Sequence, residues 1–168
     1  IPQMTRRYAW AWFTAIKGMN ANAVRPHAQV YPRFYLDMAD EMGICVLNET
    51  ANWASDGGPK LDSDLFWETS KSHLKRFVLR DRNHASFLGW IISNKNKPVI
   101  LHVYNRPELM PVQKKAWEEW RDIVHQNDPT RPWISADGED DGDGILPVTV
   151  GHYGDINSMK RWIEIGKP

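Results

Sequence analysis

The chain has 168 residues, 42% of them hydrophobic and 25% charged, a composition that builds one globular core and excludes wholesale disorder. Its 21 Lys+Arg and 21 Asp+Glu cancel, so no basic field recruits nucleic acid or an anionic membrane surface. No stretch approaches the ~18 uninterrupted apolar residues that a membrane-spanning helix needs.

Residues 6–22, RRYAWAWFTAIKGMNAN, place Tyr8, Trp12, Ala15, Ile16 and Met19 at spacings of three and four, which predicts a helix with that stripe as its apolar face. The pattern is already under way at the first residues, so we expect further chain upstream. In NAVRPH, Ala23 and Val24 form a short buried strand whose end turns polar at Arg25 and His27. PRFYLDMADEMG then reads as a helix closed by Gly43 at the position that favours glycine. ICVLNET repeats the scheme, an apolar run ending in Asn48 and Glu49. Cys45, the single cysteine, lies inside that run and reads as a small core side chain.

The loop ANWASDGGPK precedes a helix from about Asp64 to Arg80. Phe87 to Ile92 form a third strand, which stops abruptly at Asn94 and Lys95. VQKKAWEEWRDIVHQ is a helix with Trp117, Trp120, Ile123 and Val124 on one stripe, and DPTRP ends it. WISA and VTVG read as two more strands around the acidic loop DGEDDGDGILP, and DINSMKRWIEIGKP closes as a helix. That acidic loop lacks the ligand spacing of an EF-hand and reads as solvated.

Strands separated by helices pair in parallel through right-handed crossovers. The polar residues Arg25, His27, Asn48, Glu49, Asn94, Lys95, Asp137, His152 and Tyr153 all fall at C-terminal strand ends, where α/β folds place their sites. No GxGxxG phosphate loop follows the first strand, so a (β/α)₈ barrel is preferred to a doubly wound sheet. A whole barrel needs eight strands, and about five are legible here. The expected fold class is therefore α/β, a partial TIM (β/α)₈ barrel, with residues 1–168 forming a single, incomplete barrel domain. Such a piece has open edges, and we expect it to need the remaining barrel segments or to self-associate.

NANAVRPHAQVYPRFYLDMADEMGICVLNET followed by RDRNHASFLGWIISNKN resembles the central barrel segment of glycoside hydrolase family 2, the β-galactosidase and β-glucuronidase family. The likeness is collinear over nearly the whole chain, and NDPTRP falls where the family has a similar DPSRP. The resemblance implies a retaining exo-glycosidase that hydrolyses a β-linked sugar. It implies a carbohydrate substrate, no nucleic-acid or membrane partner and no cofactor.

The family's RDRNHPS(x)₃WSLGNE ends in a sugar-binding Asn and the general acid/base Glu. Counted without a gap, Asn94 takes the first position and Lys95 the second. Retaining glycosidases need two carboxyl groups about 5–5.5 Å apart. A lysine of ordinary pKa near ~10.4 is a poor acid and no useful base at neutral pH. The resemblance therefore implies a lost acid/base step at Lys95; the competing reading is a solvated loop lysine in a diverged member. The nucleophilic Glu of the family would end a strand beyond MKRWIEIGKP, so the chain as written is expected to be inactive. A non-catalytic carbohydrate-binding or structural remnant of such a barrel is the alternative.

The resemblance also transfers Arg25, whose guanidinium would hold the nucleophile ionised, and Tyr153, whose phenol would hydrogen-bond it. His27, Asn94 and Glu49 would line the sugar subsite. Glu49 helps bind a metal in some members, but NETANWASDGG departs from their pattern and no metal is assigned. Trp53 is a candidate sugar platform beside Trp90 and Trp133, and His152 departs from the family pattern with its role open. Asp81, Arg82, Asn83 and His84 precede their strand, at the bottom of a barrel, and are expected to fix a turn.

Overall fold

The computed structural model describes residues 5–52 and 61–136. Thr5 starts the first helix, its Oγ1 accepting from the Tyr8 N–H at 3.2 Å. The elements that follow are α1 (Arg6–Gly18), β1 (Ala23–Val24), α2 (Arg33–Met42), β2 (Cys45–Glu49), α3 (Asp64–Asp81) and β3 (Phe87–Asn94). Then come a single helical turn α4 (Asn96–Pro98), a π-helical turn Val99–Val103, a 3₁₀ turn Pro107–Leu109, α5 (Met110–Asn127) and β4 (Trp133–Ala136). The strands form one parallel sheet in the order β1-β2-β3-β4, each joined to the next through helix. This is the partial barrel topology expected from the alternation. The fifth strand VTVG and the closing helix lie outside the described residues.

Local chemistry explains the boundaries. Gly43 caps α2 with φ +66°, a left-handed conformation that spares glycine the Cβ penalty. Gly89 answers a different demand: a Cβ there would meet the Pro132 carbonyl oxygen at 3.0 Å, so the absent side chain lets β4 enter beside β3. Leu88 is the extra residue between the pairs Val46–Phe87 and Leu47–Gly89, and it is 48% exposed at that irregularity.

The first helix buries a different stripe from the one its pattern suggests. Ala9, Phe13 and Ile16 face the core, whereas Tyr8 is 51% and Met19 71% exposed. The segment is apolar on two adjacent faces, so spacing alone leaves the choice open. The helix also ends at Gly18, which removes Met19 from its last turn. Phe13 packs edge-on against Tyr35 of α2, and Trp67 of α3 stacks at a 45° tilt against Trp120 of α5. The stripe on α5 is as expected, with Trp117, Trp120 and Val124 buried and Ile123 half-buried. Cys45 is half-buried, not fully enclosed, because it alternates with Ile44 and Val46 and points to the other face of the strand. β3 runs two residues further than its apolar run, since Asn94 still pairs with Ala136 and its N–H reaches the Asn52 carbonyl at 3.0 Å.

Carboxylates tie the loops below the sheet. Asp40 accepts from the Ser86 N–H at 2.7 Å and lies 2.6 Å from His84 Nδ1. Asp81, fully buried, accepts from Arg80 and from Asn48 Nδ2. Asp128 accepts from Trp90 Nε1 and Arg131 Nη1, both at 2.9 Å, and from Thr130. Arg131 also donates to the carbonyls of Arg82, His84 and Phe87, which fixes the RDRNH turn as the sequence position suggests.

These contacts make acid stability predictable. Burial alone would raise Asp128 and Asp40, but hydrogen bonds from Thr130, Trp90 and Arg131 in one case, and from Ser86 and His84 in the other, leave both carboxyls below their ordinary value. A lowered folded-state pKa contributes stability above the unfolded value of ~3.9, lost as pH falls through the folded one. Thermal melts should therefore show a fall below about pH 4 from these carboxyls, added to an earlier decline below pH ~6.5 from His73, whose pKa burial lowers. Asp128→Asn should melt lower at pH 7 and show a shallower acid decline; an unchanged decline would detach Asp128 from it.

Candidate active site

The polar residues at the ends of β1, β2 and β3 meet around Glu49. Arg25, just after β1, places Nε 2.6 Å from Glu49 Oε2. Asn94, the last residue of β3, donates Nδ2 to Glu49 Oε1 at 2.7 Å, and the Ala28 N–H donates to the same oxygen at 2.8 Å. Glu49 and Asn94 are fully buried, and the Arg25 side chain is a third exposed. Three donors on one buried carboxylate offset the desolvation that would otherwise forbid it.

Ala28 reaches Glu49 because its backbone turns to φ 51°, an uncommon conformation outside glycine. No side-chain pattern advertises a backbone amide, so this donor is invisible in the sequence. His27 is exposed beside it. Asn48 points away from the cluster and donates to Asp81 at 3.2 Å, so of the pair Asn48–Glu49 only the second reaches the strand-end site.

Lys95 follows directly, half-buried, with φ 59° and ψ 16°. Its carbonyl accepts from the Val99 N–H at 3.1 Å, which begins the helical turn α4. The π-helical turn continues this connection, with the Tyr104 N–H on the Val99 carbonyl at 2.8 Å. Residues 96–109 are therefore largely helical, a run the sequence pattern does not resolve. Trp90 and Trp133 are 1% and 2% exposed in the core, which removes them as sugar platforms. Trp53, His152 and Tyr153 lie outside the described residues.

A metal does not fit this cluster. Both Glu49 oxygens are engaged by a cation and two N–H donors, and the next strand end carries the cationic Lys95. Among the described residues no set of three or more His, Cys, Asp or Glu is grouped as metal ligands.

The description of the glycosyl hydrolases family 2 TIM barrel domain matches residues 7–165. The chain belongs to glycosyl hydrolase family 2. Among curated family 2 relatives, the putative beta-glucuronidase of Formosa agariphila is 28% identical over 154 residues, covering 91% of this chain and 13% of that protein. The beta-galactosidase of Vibrio vulnificus is 27% identical over 166 residues, covering 89% and 14%. The chain thus spans about one seventh of those relatives' length. Its fold matches the beta-glucuronidase of an uncultured Clostridium sp., with TM-score 0.64 and 22% identity over 79% of this chain and 22% of that one. It also matches Bacteroides uniformis beta-glucuronidase 2, covalently bound to cyclophellitol-6-carboxylate aziridine, with TM-score 0.66 and 21% identity over 79% and 16%.

The left-handed backbone at Lys95 gives a stability test. A non-glycine residue there costs roughly 1–2 kcal/mol, and a β-branched one more. Lys95→Gly should stay within about 1 kcal/mol of the parent in denaturant melts, and Lys95→Val should lose about 1–2 kcal/mol. Equal stability of the two variants would show that residue 95 leaves this conformation.

Proposed function

We propose that this chain is the central part of the catalytic barrel of a retaining, exo-acting β-glycosidase. Its sugar subsite is built on Arg25, His27 and Asn94, and Lys95 stands in the acid/base position. The observation that carries this reading is the bonded cluster Arg25–Glu49–Asn94, formed by residues at the family's motif positions on three consecutive strand ends. The relatives named above are glycosidases, which favours an enzyme barrel over a non-catalytic remnant.

Lys95 disables the ordinary cycle on this reading. An ammonium neither activates water at neutral pH nor suits the side of an oxocarbenium-like transition state. Glu49 does not substitute for the missing acid/base, because it is fully buried and, among the described residues, its bonds are directed at Arg25, Ala28 and Asn94. Sugar binding survives, since the general acid is not the main ground-state anchor.

Lys95→Glu in the full-length protein tests this. Hydrolysis of β-glucuronides and β-galactosides should rise by ~10²- to 10⁴-fold, the usual contribution of general acid/base catalysis. The gain should be larger for alkyl or sugar leaving groups than for acidic phenols, which need little protonation. Azide should rescue the Lys95 form on activated aryl glycosides and yield a β-glycosyl azide. A folded, sugar-binding Lys95→Glu protein that hydrolyses none of these substrates would refute the assignment of Lys95.

The sheet edges generate a second test. Among the described residues β1 and β4 are each paired on one side only, and open strand edges template association. Residues 1–168 expressed alone should self-associate in light scattering. A monomer with a sharp cooperative melt would show that this segment folds without other barrel segments.

A further inference from the structure

We infer that Glu49 is a positioning residue that orients the Asn94 amide, so that the site selects a ligand hydroxyl acting as hydrogen-bond donor. The inference rests on the β-glycoside reading above. A carboxylate can only accept, so the Asn94 atom 2.7 Å from Glu49 Oε1 is the amide nitrogen. The opposite corner of the amide is then Oδ1. That oxygen is buried and has no hydrogen-bond partner among the described residues. Leaving a buried acceptor unsatisfied is costly, and a ligand that donates to it recovers the loss.

The rest of the cluster allows no other arrangement. Oε2 is held by the Arg25 Nε, and Oε1 is shared with the Ala28 N–H, so Glu49 cannot rotate away without stranding a guanidinium. The Asn94 backbone is fixed as well, through its N–H on the Asn52 carbonyl at 3.0 Å and its pairing with Ala136. Asn94 is fully buried, so a ligand reaches Oδ1 only after a covering side chain moves aside. The donor requirement thus belongs to Asn94 and is set by Glu49, which itself need not touch the sugar.

Glu49→Gln reverses the logic. Either the new amide nitrogen confronts the Arg25 Nε, or it faces Asn94 and forces that amide to turn its nitrogen toward the ligand. The double variant Glu49→Gln/Asn94→Asp restores a donor-to-acceptor bond between the two positions and again leaves an oxygen toward the ligand, at the cost of setting the new amide nitrogen against the Ala28 N–H. Calorimetry on the full-length protein would use methyl β-glucuronide, methyl β-galactoside and their monodeoxyfluoro analogues, in which fluorine cannot donate.

The parent should bind one of the two glycosides and lose about 10- to 100-fold when one particular hydroxyl becomes fluorine. Glu49→Gln should weaken the glycoside by a similar factor and no longer distinguish that analogue. The double variant should recover discrimination and part of the affinity, the remainder being lost to the stranded Ala28 N–H. Parent-like affinity and discrimination in Glu49→Gln would overturn the inference while leaving the β-glycoside reading intact. No binding by the parent would remove both. If Glu49→Gln does not fold, the double variant decides: folded but without discrimination, it refutes the role of Glu49.

Discussion

A carboxylate in a dry place must be surrounded by donors, and Glu49 is the group around which the upper end of the sheet is organised. Its burial would cost several kcal/mol if uncompensated. The compensation comes from three residues on two segments: Arg25 and Ala28 after β1, and Asn94 at the end of β3. β1 needs this help. It is two residues long and pairs with β2 at only two positions, so its ladder alone is a weak attachment. The ionic and amide bonds to Glu49 extend that attachment beyond the strand and fix the direction in which Arg25 and His27 leave the sheet.

The lower end uses the same device with a different result. Asp40, Asp81 and Asp128 each collect donors from nearby loops, strands or their own helix, and Arg131 gathers the carbonyls of Arg82, His84 and Phe87 around the start of β3. Every one of those bonds is internal to the scaffold. At the upper end, by contrast, the Asn94 oxygen is left over, and the adjacent residue stands in a strained backbone conformation. The lower end is not free of such features, since Ser86 Oγ is also buried without a partner among the described residues and Asn20 before β1 also has φ 59°; what sets Asn94 apart is its place in the strand-end cluster.

Much of this was legible in the sequence because it is carried by period and by end chemistry. The glycine after α2, the apolar runs of β2 and β3 and the tryptophan stripe of α5 each follow from one local rule. Arg25, Glu49 and Asn94 were recognisable as strand-end polar residues, and the motif resemblance implied that they line one sugar subsite. Their mutual bonds were not legible, because a contact across 24 or 45 residues leaves no trace in local pattern. The buried face of α1 was misread where Trp12 and Phe13 offer two stripes and only packing against Tyr35 chooses. The run after Lys95 was missed for a related reason: a π-helical turn has neither the spacing of an α-helix nor that of a strand.

The backbone at residue 95 has an evolutionary consequence. Its left-handed conformation taxes lysine and glutamate alike, since both are unbranched at Cβ and neither is glycine. The backbone conformation therefore exerts no preference between them. The lysine and glutamate codons differ by a single base at the first position. On the proposed reading, a lineage carrying this barrel stands one transition mutation from regaining the acid/base, with no change demanded by the backbone at residue 95.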